Sequence, residues 1–371
     1  MNQAFNAIRA FDDEDVSPVI ARLLNDQQFT EVISSLSTPF QELFQKLPTI
    51  KTISAFQAEI SYPFAEWIIQ NTIKILSFSG LEKLNKNQPY LFISNHRDIV
   101  MDPLLINYLL YKNGFRTTQI GIGNNLIIFP WIENIVRLNK SFVVKRNLKG
   151  KELKAELVRL SDYIAHVLLE LRECVWIAQR EGRAKDGIDE TQISLLKMLF
   201  LATPSFDAEI KIENYSLVPV SINYEFDPCD ALKAIELHQK AQGLCMKKTP
   251  EKDLLHMKKG LLENKGHVHI HFSEPITLLS LKNKHDFQQL KSAIDKEIHA
   301  NYKLFSTHLF AYKKLYSPTF KLTPDEEYIA DNYFKKQKER YQLNEEQFTY
   351  LLLPYANQAK LYFLQILKIL N

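Results

Sequence analysis

Cysteine is scarce. There are three in 371 residues, Cys174, Cys229 and Cys245, odd in number and without a Cys-x-x-Cys spacing. This excludes a disulfide framework and a structural zinc site, and reads as buried or free thiols in a reducing compartment. Charge of one sign is not in excess either. A net charge of +3 is too small for a polyelectrolyte binder, so no nucleic acid is expected as a partner. No apolar run reaches the ~18–20 residues that a membrane-spanning helix requires. The first fifteen residues are polar and close on Asp12-Asp13-Glu14-Asp15, so no signal peptide is expected. Internal repeats and low-complexity tracts are also missing. What remains is an ordinary globular composition, 46% hydrophobic and 24% charged. It fits a protein of the cytoplasm or of the cytoplasmic membrane face, not an integral one.

Three parts can be drawn along the chain. Residues 1–70 read as an N-terminal helical region, with Val19, Ile20, Leu23 and Leu24 at helical spacing and a second apolar stripe at Phe40, Leu43, Phe44 and Leu47. Residues 71–303 alternate strands and helices. The expected strands are 74–78, 90–94, 118–122, 141–145, 174–178, 217–223 and 267–272. The expected helices are 102–112, 127–137, 149–172, 191–201 and 284–303. Residues 304–371 return to helix, broken at Ser317-Pro318 and Thr323-Pro324. The fold class is therefore α/β, a central mixed sheet flanked by helices, with helical N- and C-terminal extensions. Two stretches suit either core packing or a bilayer surface. One is Tyr62 to Ile69 with Trp67; the other is the C-terminal run from Leu351 to Leu370.

The most informative stretch is Ile93-Ser94-Asn95-His96-Arg97-Asp98-Ile99-Val100-Met101-Asp102-Pro103-Leu104-Leu105. An apolar strand delivers a histidine with two carboxylates close behind, and an apolar helical run follows. A histidine oriented by a carboxylate can take a proton from a hydroxyl and make it a nucleophile. The plainer reading is a strand-end histidine that caps the next helix. Three histidines, His267, His269 and His271, alternate on one strand face. That face would suit a metal, but a core strand is the stronger reading, and no metal is expected.

The stretch at His96 resembles the first block of the glycerolipid acyltransferase family, Asn-His-x-x-x-x-Asp at a strand-to-helix turn. Three later segments resemble the family's other blocks in the same order. They are Phe142-Val143-Val144-Lys145-Arg146, then Val175-Trp176-Ile177-Ala178-Gln179-Arg180-Glu181-Gly182-Arg183, then Leu217-Val218-Pro219-Val220-Ser221-Ile222. The resemblance spans roughly residues 70–300, and Gly266 to Pro275 resembles the last core strand of the same domain. Two spacings depart from the pattern. Met101 stands where the family has its aspartate, so Asp102 is one residue late and Asp98 is a rival partner for His96. The third block is one residue short, with Arg180 in place of the usual proline.

The resemblance implies an O-acyltransferase of phospholipid biosynthesis, peripheral on the inner membrane. A fatty acyl group would pass from acyl-CoA or acyl-acyl-carrier protein (acyl-ACP), as co-substrate, to glycerol 3-phosphate or 1-acylglycerol 3-phosphate. No cofactor is implied. His96 would be the base, with Asp102 or Asp98 behind it. Arg146 and Arg183 would hold the acceptor's phosphate, assisted by Lys145, with Glu181 and Gly182 beside them. Pro219, within a buried strand, should mark an edge or bulge. Lys149, Lys151 and Lys154, just after the second block, could form a basic patch that suits an acidic carrier protein. The unusual spacings leave other readings open. They are an acyltransferase acting on a lyso-aminolipid (ornithine- or glycine-lipid type), a non-catalytic lipid-binding protein of the same fold, and a thioesterase.

Overall fold

Each of the seven segments expected as a strand is a strand, and all seven pair into one sheet. A computed structural model describes residues 5–35, 37–201, 215–244, 249–277 and 284–370 of the chain; Cys245 lies outside them. The strands are β1 (Ile75–Ser79), β2 (Leu91–Ser94), β3 (Thr118–Gly123), β4 (Ser141–Val144), β5 (Cys174–Ala178), β6 (Leu217–Tyr224) and β7 (His267–Phe272). Their order is β1-β7-β6-β2-β5-β3-β4. All neighbours are parallel except β6 and β7, which run antiparallel. Every residue of β2 and β6 is buried. That is why these segments read as unbroken apolar runs, since a central strand covered on both faces has no solvent side to mark.

Among the described residues, five α-helices precede the sheet: α1 (Asp13–Leu24), α2 (Gln27–Ser35), α3 (Thr38–Phe44), α4 (Ile53–Phe56) and α5 (Tyr62–Thr72). Within the sheet region lie α6 (Met101–Lys112), α7 (Pro130–Leu138), α8 (Gly150–Leu169), α9 (Ile193–Leu199), α10 (Asp230–Ala241), α11 (Pro250–Leu262) and α12 (Lys284–Ala300). The chain ends on α13 (Ser306–Leu315), α14 (Pro324–Arg340) and α15 (Glu345–Leu370). The helix expected from 127 begins instead at Pro130. Proline is pre-set for the first helical position and lacks the N–H that position would leave unpaired. Helices α10 and α11 were not expected at all.

One core joins α1, α3 and α5 to the sheet through Leu23, Phe40, Ile68, Phe92 and Ile270. Trp67 packs on Phe40, ring centroids 4.4 Å apart, so its stretch faces protein. The C-terminal run divides. Leu351, Leu352 and Tyr355 are buried against α10 and α13, whereas Leu364 and Leu367 are 43% and 57% exposed. Among the described residues no helix is long and apolar enough to cross a membrane.

Pro219 departs from expectation. It lies on β6, an interior strand flanked by β7 and β2. Its carbonyl accepts from Ser273 N at 3.0 Å, one residue past the end of β7. The amide it lacks points to that same side, beyond the end of the ladder, so no interior strand hydrogen bond is lost.

The three histidines of β7 form a ladder with two serines of β1. Ser77 Oγ bridges His267 Nε2 at 2.7 Å and His269 Nδ1 at 2.8 Å, and Ser79 Oγ bridges His269 Nε2 at 3.2 Å and His271 Nδ1 at 2.8 Å. The rings are spread along a strand by intervening hydroxyls, and among the described residues no group of side chains could hold a metal. Burial lowers all three histidines, with neighbouring Lys303 adding to the effect at His267 and His269, and His269 falls to about 4. Because the fold favours the neutral rings, their contribution is complete above the unfolded value of about 6.5. It is lost as pH falls from there toward 4. Tm should drop across that window, and His269→Gln should flatten the drop by about 1 kcal/mol, discounted for partial exposure. An unchanged slope in the variant would contradict the assignment.

Candidate active site

Chain order dictates where a cleft opens. After β2 the chain crosses through α6 toward β3, and after the adjacent β5 it crosses the other way to β6. Where neighbouring parallel strands send their connections in opposite directions, a crevice forms at their carboxyl ends. His96 follows β2 by two residues, Arg180 to Arg183 follow β5, and Arg146 follows β4 by two residues. All line one cavity of about 1580 Å³. This exceeds the ~300–1,000 Å³ usual for a small-molecule site. Its apolar wall includes Phe44, Phe56, Ile60, Phe64, Leu104 and Ile135.

His96 Nδ1 donates to Asp102 Oδ2 at 2.8 Å, and its side chain is 13% exposed while that of Asp102 is fully buried. The same carboxylate oxygen accepts the backbone N–H of Arg97 at 2.6 Å and of Asp98 at 3.0 Å, and Tyr224 Oη donates to the other oxygen at 2.8 Å. Burial and then the Asp102 charge raise Tyr224 well above its usual range, so it remains a donor. Four donors hold the Asp102 carboxylate in place. With Nδ1 engaged, the imidazole offers Nε2 to the cavity. Trp176 stands edge-on to the ring at 6.0 Å between centroids, its indole nitrogen tied to Ser94 Oγ at 3.0 Å.

Asp98 does something else. Its Oδ1 accepts from Val100 N at 2.9 Å and Met101 N at 2.8 Å, which fixes the turn that leads into α6. Its Oδ2 lies against α11, where a Cβ on Gly260 would sit 2.2 Å away. The rivalry between Asp98 and Asp102 is thus resolved: Asp102 is the carboxylate on His96, and Asp98 holds the turn between them.

Of the expected acceptor residues, the structure gathers most but not all. Arg146 Nη1 pairs with Glu181 Oε1 at 2.7 Å, and the Glu181 side chain is 65% exposed. Arg183 Nη1 donates to His256 Nδ1 at 3.0 Å. Gly182 has φ +71 with open space where a Cβ would be, so it serves the turn and not a close approach. Lys145 is not brought in. Its ammonium bonds Glu156 of α8 at 3.2 Å, and it does not line the cavity.

Several residues escaped sequence reasoning. Arg97, directly after His96, is fully buried. Its guanidinium donates to Ala184 O at 3.0 Å and pairs with Asp189, with Asp227 at 3.9 Å. Burial pulls this guanidinium down, but Asp189 and Asp227 more than restore it, so it stays charged. Ala184 N in turn donates to His96 O at 3.0 Å. The His96 segment and the Arg183 segment are therefore locked together. The lock rests on α15: Asn357 Nδ2 donates to Asp186 O at 2.7 Å, and Gly187, φ +76, leaves no room for a Cβ, which would lie 2.2 Å from Pro354 O. The signal for Arg97 was its place beside His96. Nothing in the sequence announced the partners.

Residues 75–223 match the family model described as Acyltransferase. Among curated proteins, the chain is similar to the dihydroxyacetone phosphate acyltransferase of Homo sapiens, 24% identical over 277 residues, covering 70% of this chain and 39% of that protein. It is also similar to the glycerol-3-phosphate acyltransferase of Pseudomonas fluorescens (strain SBW25), 28% identical over 210 residues, covering 57% of this chain and 24% of that protein. The matches thus span about a quarter to two-fifths of these relatives' length. Among solved structures, the 1-acyl-sn-glycerophosphate (LPA) acyltransferase of Thermotoga maritima aligns with TM-score 0.40 and 12% identity, over 78% of this chain and 98% of that one. A likeness at that score carries no argument.

Proposed function

The chain belongs, through residues 75–223, to the glycerolipid acyltransferase family, and we propose that it moves a fatty acyl group from acyl-CoA or acyl-ACP to a phosphate-bearing alcohol. Glycerol 3-phosphate is the leading acceptor and 1-acylglycerol 3-phosphate the next. The names of the curated relatives support the first, with dihydroxyacetone phosphate as a further acceptor to test. The observation that carries the reading is one cavity shared by the His96–Asp102 pair, by Arg146 and Arg183, and by a long apolar wall.

The chemistry follows from that geometry. His96 Nε2 takes the proton of the acceptor hydroxyl as its oxygen attacks the thioester carbonyl. Asp102 fixes the ring and stabilises the imidazolium. The tetrahedral intermediate collapses, the C–S bond breaks, and the imidazolium returns its proton to the leaving thiolate. No acyl-enzyme is required. The arginines hold the acceptor phosphate and the apolar wall holds the acyl chain. The enzyme works peripherally on the inner membrane and needs no cofactor beyond the acyl donor. Exposed Lys149, Lys151 and Lys154 at the start of α8 suit an acidic carrier.

The test is purified protein with palmitoyl-CoA and palmitoyl-ACP against glycerol 3-phosphate, dihydroxyacetone phosphate, lysophosphatidate and lyso-aminolipids, with mass detection of products. Arg183→Met should raise the acceptor KM about tenfold or more with a smaller change in kcat. Acylation of lyso-aminolipids alone, or hydrolysis indifferent to that variant, would refute the reading.

A further inference from the structure

The cavity has a wall that the family segment does not supply. Helices α10 and α11 lie beyond residues 75–223, and they carry Glu236 and His256 to the back of Arg183. His256 is 4% exposed. A guanidinium only donates, so the 3.0 Å contact from Arg183 Nη1 requires a lone pair on His256 Nδ1. The ring proton then sits on Nε2, which faces Glu236 Oε1 at 3.4 Å. The other oxygen of Glu236 pairs with Lys185. Cys229 Sγ donates to the His256 carbonyl at 3.3 Å and fixes the backbone of the same turn.

The charges are arranged in a definite way. Burial pushes Glu236 up, but its bonds to His256 and Lys185 carry it down to about 2, so it is an anion at working pH. That anion is met by Lys185, not by Arg183. What touches Arg183 is an uncharged acceptor. Arg146 makes the contrast, since it sits directly on a carboxylate, Glu181. A neutral imidazole orients a guanidinium without cancelling its charge, whereas a carboxylate in the same place would compete with any incoming anion.

The geometry points to His256, held by Glu236, as a positioning residue that aims Arg183 at the acceptor while leaving its full positive charge for a phosphate. This rests on the proposed role of Arg183 and adds that α10 and α11 set the site's preference for a strongly anionic headgroup. In it Glu236 is the anchor and Lys185 the counter-charge that keeps the anchor from reaching Arg183.

The experiment compares His256→Gln with His256→Glu in the full chain, near-isosteric changes that differ in charge. Acceptor KM, donor KM and kcat are measured with glycerol 3-phosphate and palmitoyl-CoA, alongside calorimetric binding of glycerol 3-phosphate and thermal melts. The glutamate variant should show an acceptor KM about tenfold above that of the glutamine variant, weaker calorimetric binding to match, and a donor KM within about twofold. Equal acceptor KM values would overturn the proposal, because a merely structural histidine does not distinguish the two. If the glutamate variant fails to fold, Glu236→Ala takes its place. Its acceptor KM should rise about threefold or more, and an unchanged value would overturn the proposal. Arg183→Met separates the two levels: an ordinary acceptor KM there would sink the acceptor-site reading itself, whatever His256 does.

Discussion

His96→Ala should lower kcat by about 10²–10⁴-fold, the usual contribution of a positioned general base, with little change in Tm. The side chain borders the cavity, and among the described residues its polar partner is Asp102. Asp102 would keep the two backbone N–H groups and the Tyr224 hydroxyl, so the fold loses little. Asp102→Asn should also cost activity heavily, since an amide cannot accept as strongly from both His96 Nδ1–H and two backbone donors, and the ring loses its tautomer lock. Asp98→Asn is the discriminating control. An amide Oδ1 can accept the same two backbone N–H groups, so stability should change by less than about 1 kcal/mol, and the pH profile of kcat should keep its shape. Full turnover by His96→Ala would leave a lipid-binding protein of the same fold as the surviving reading.

The physical reasons that made some features legible also explain what was hidden. The central strands were visible because a strand buried on both faces must be apolar, and all seven runs are short and rich in strand formers. The motif histidine was visible because strand-to-helix turns are where side chains meet a crevice. The identity of its carboxylate was not visible, because one residue of spacing cannot be resolved without coordinates. The extra residue is absorbed in the irregular turn 95–100, and α6 begins at Met101, so Asp102 still looks back at the ring from the first turn. Lys145 and Arg146 are neighbours whose side chains leave the chain in opposite directions, one to α8 and one to the cavity. Helices α10 and α11 bear polar, weakly periodic sequences. Their contribution, Glu236 and His256, depends on long-range contacts that no local pattern encodes.

Arg97→Met should destabilise the protein by about 3–5 kcal/mol, the usual cost of removing one partner of a buried ion pair. The guanidinium is 1% exposed and Asp189 has no exposed side-chain surface, so solvent cannot take the place of the lost partner. Asp189 would keep the Tyr302 hydroxyl but lose its counter-charge, and Asp227 would retain Lys233. The loss therefore falls on Asp189. Three tests follow from this, read by urea unfolding with a check that the m-value holds. Arg97→Lys should recover only part of the loss, because an ammonium cannot span Ala184 O and Asp189 as the planar fork does. Arg97→Met with Asp189→Leu should recover most of it, because the uncompensated anion is then gone. The double variant should nonetheless remain poor in turnover, with a raised acceptor KM. Ala184 O would have lost the guanidinium that ties the Arg183 segment to the His96 segment, leaving the Ala184 N to His96 O bond between them among the described residues. Recovery of stability without recovery of acceptor affinity would separate the two roles of this arginine, whereas full recovery of both would show that the lock contributes nothing to the site.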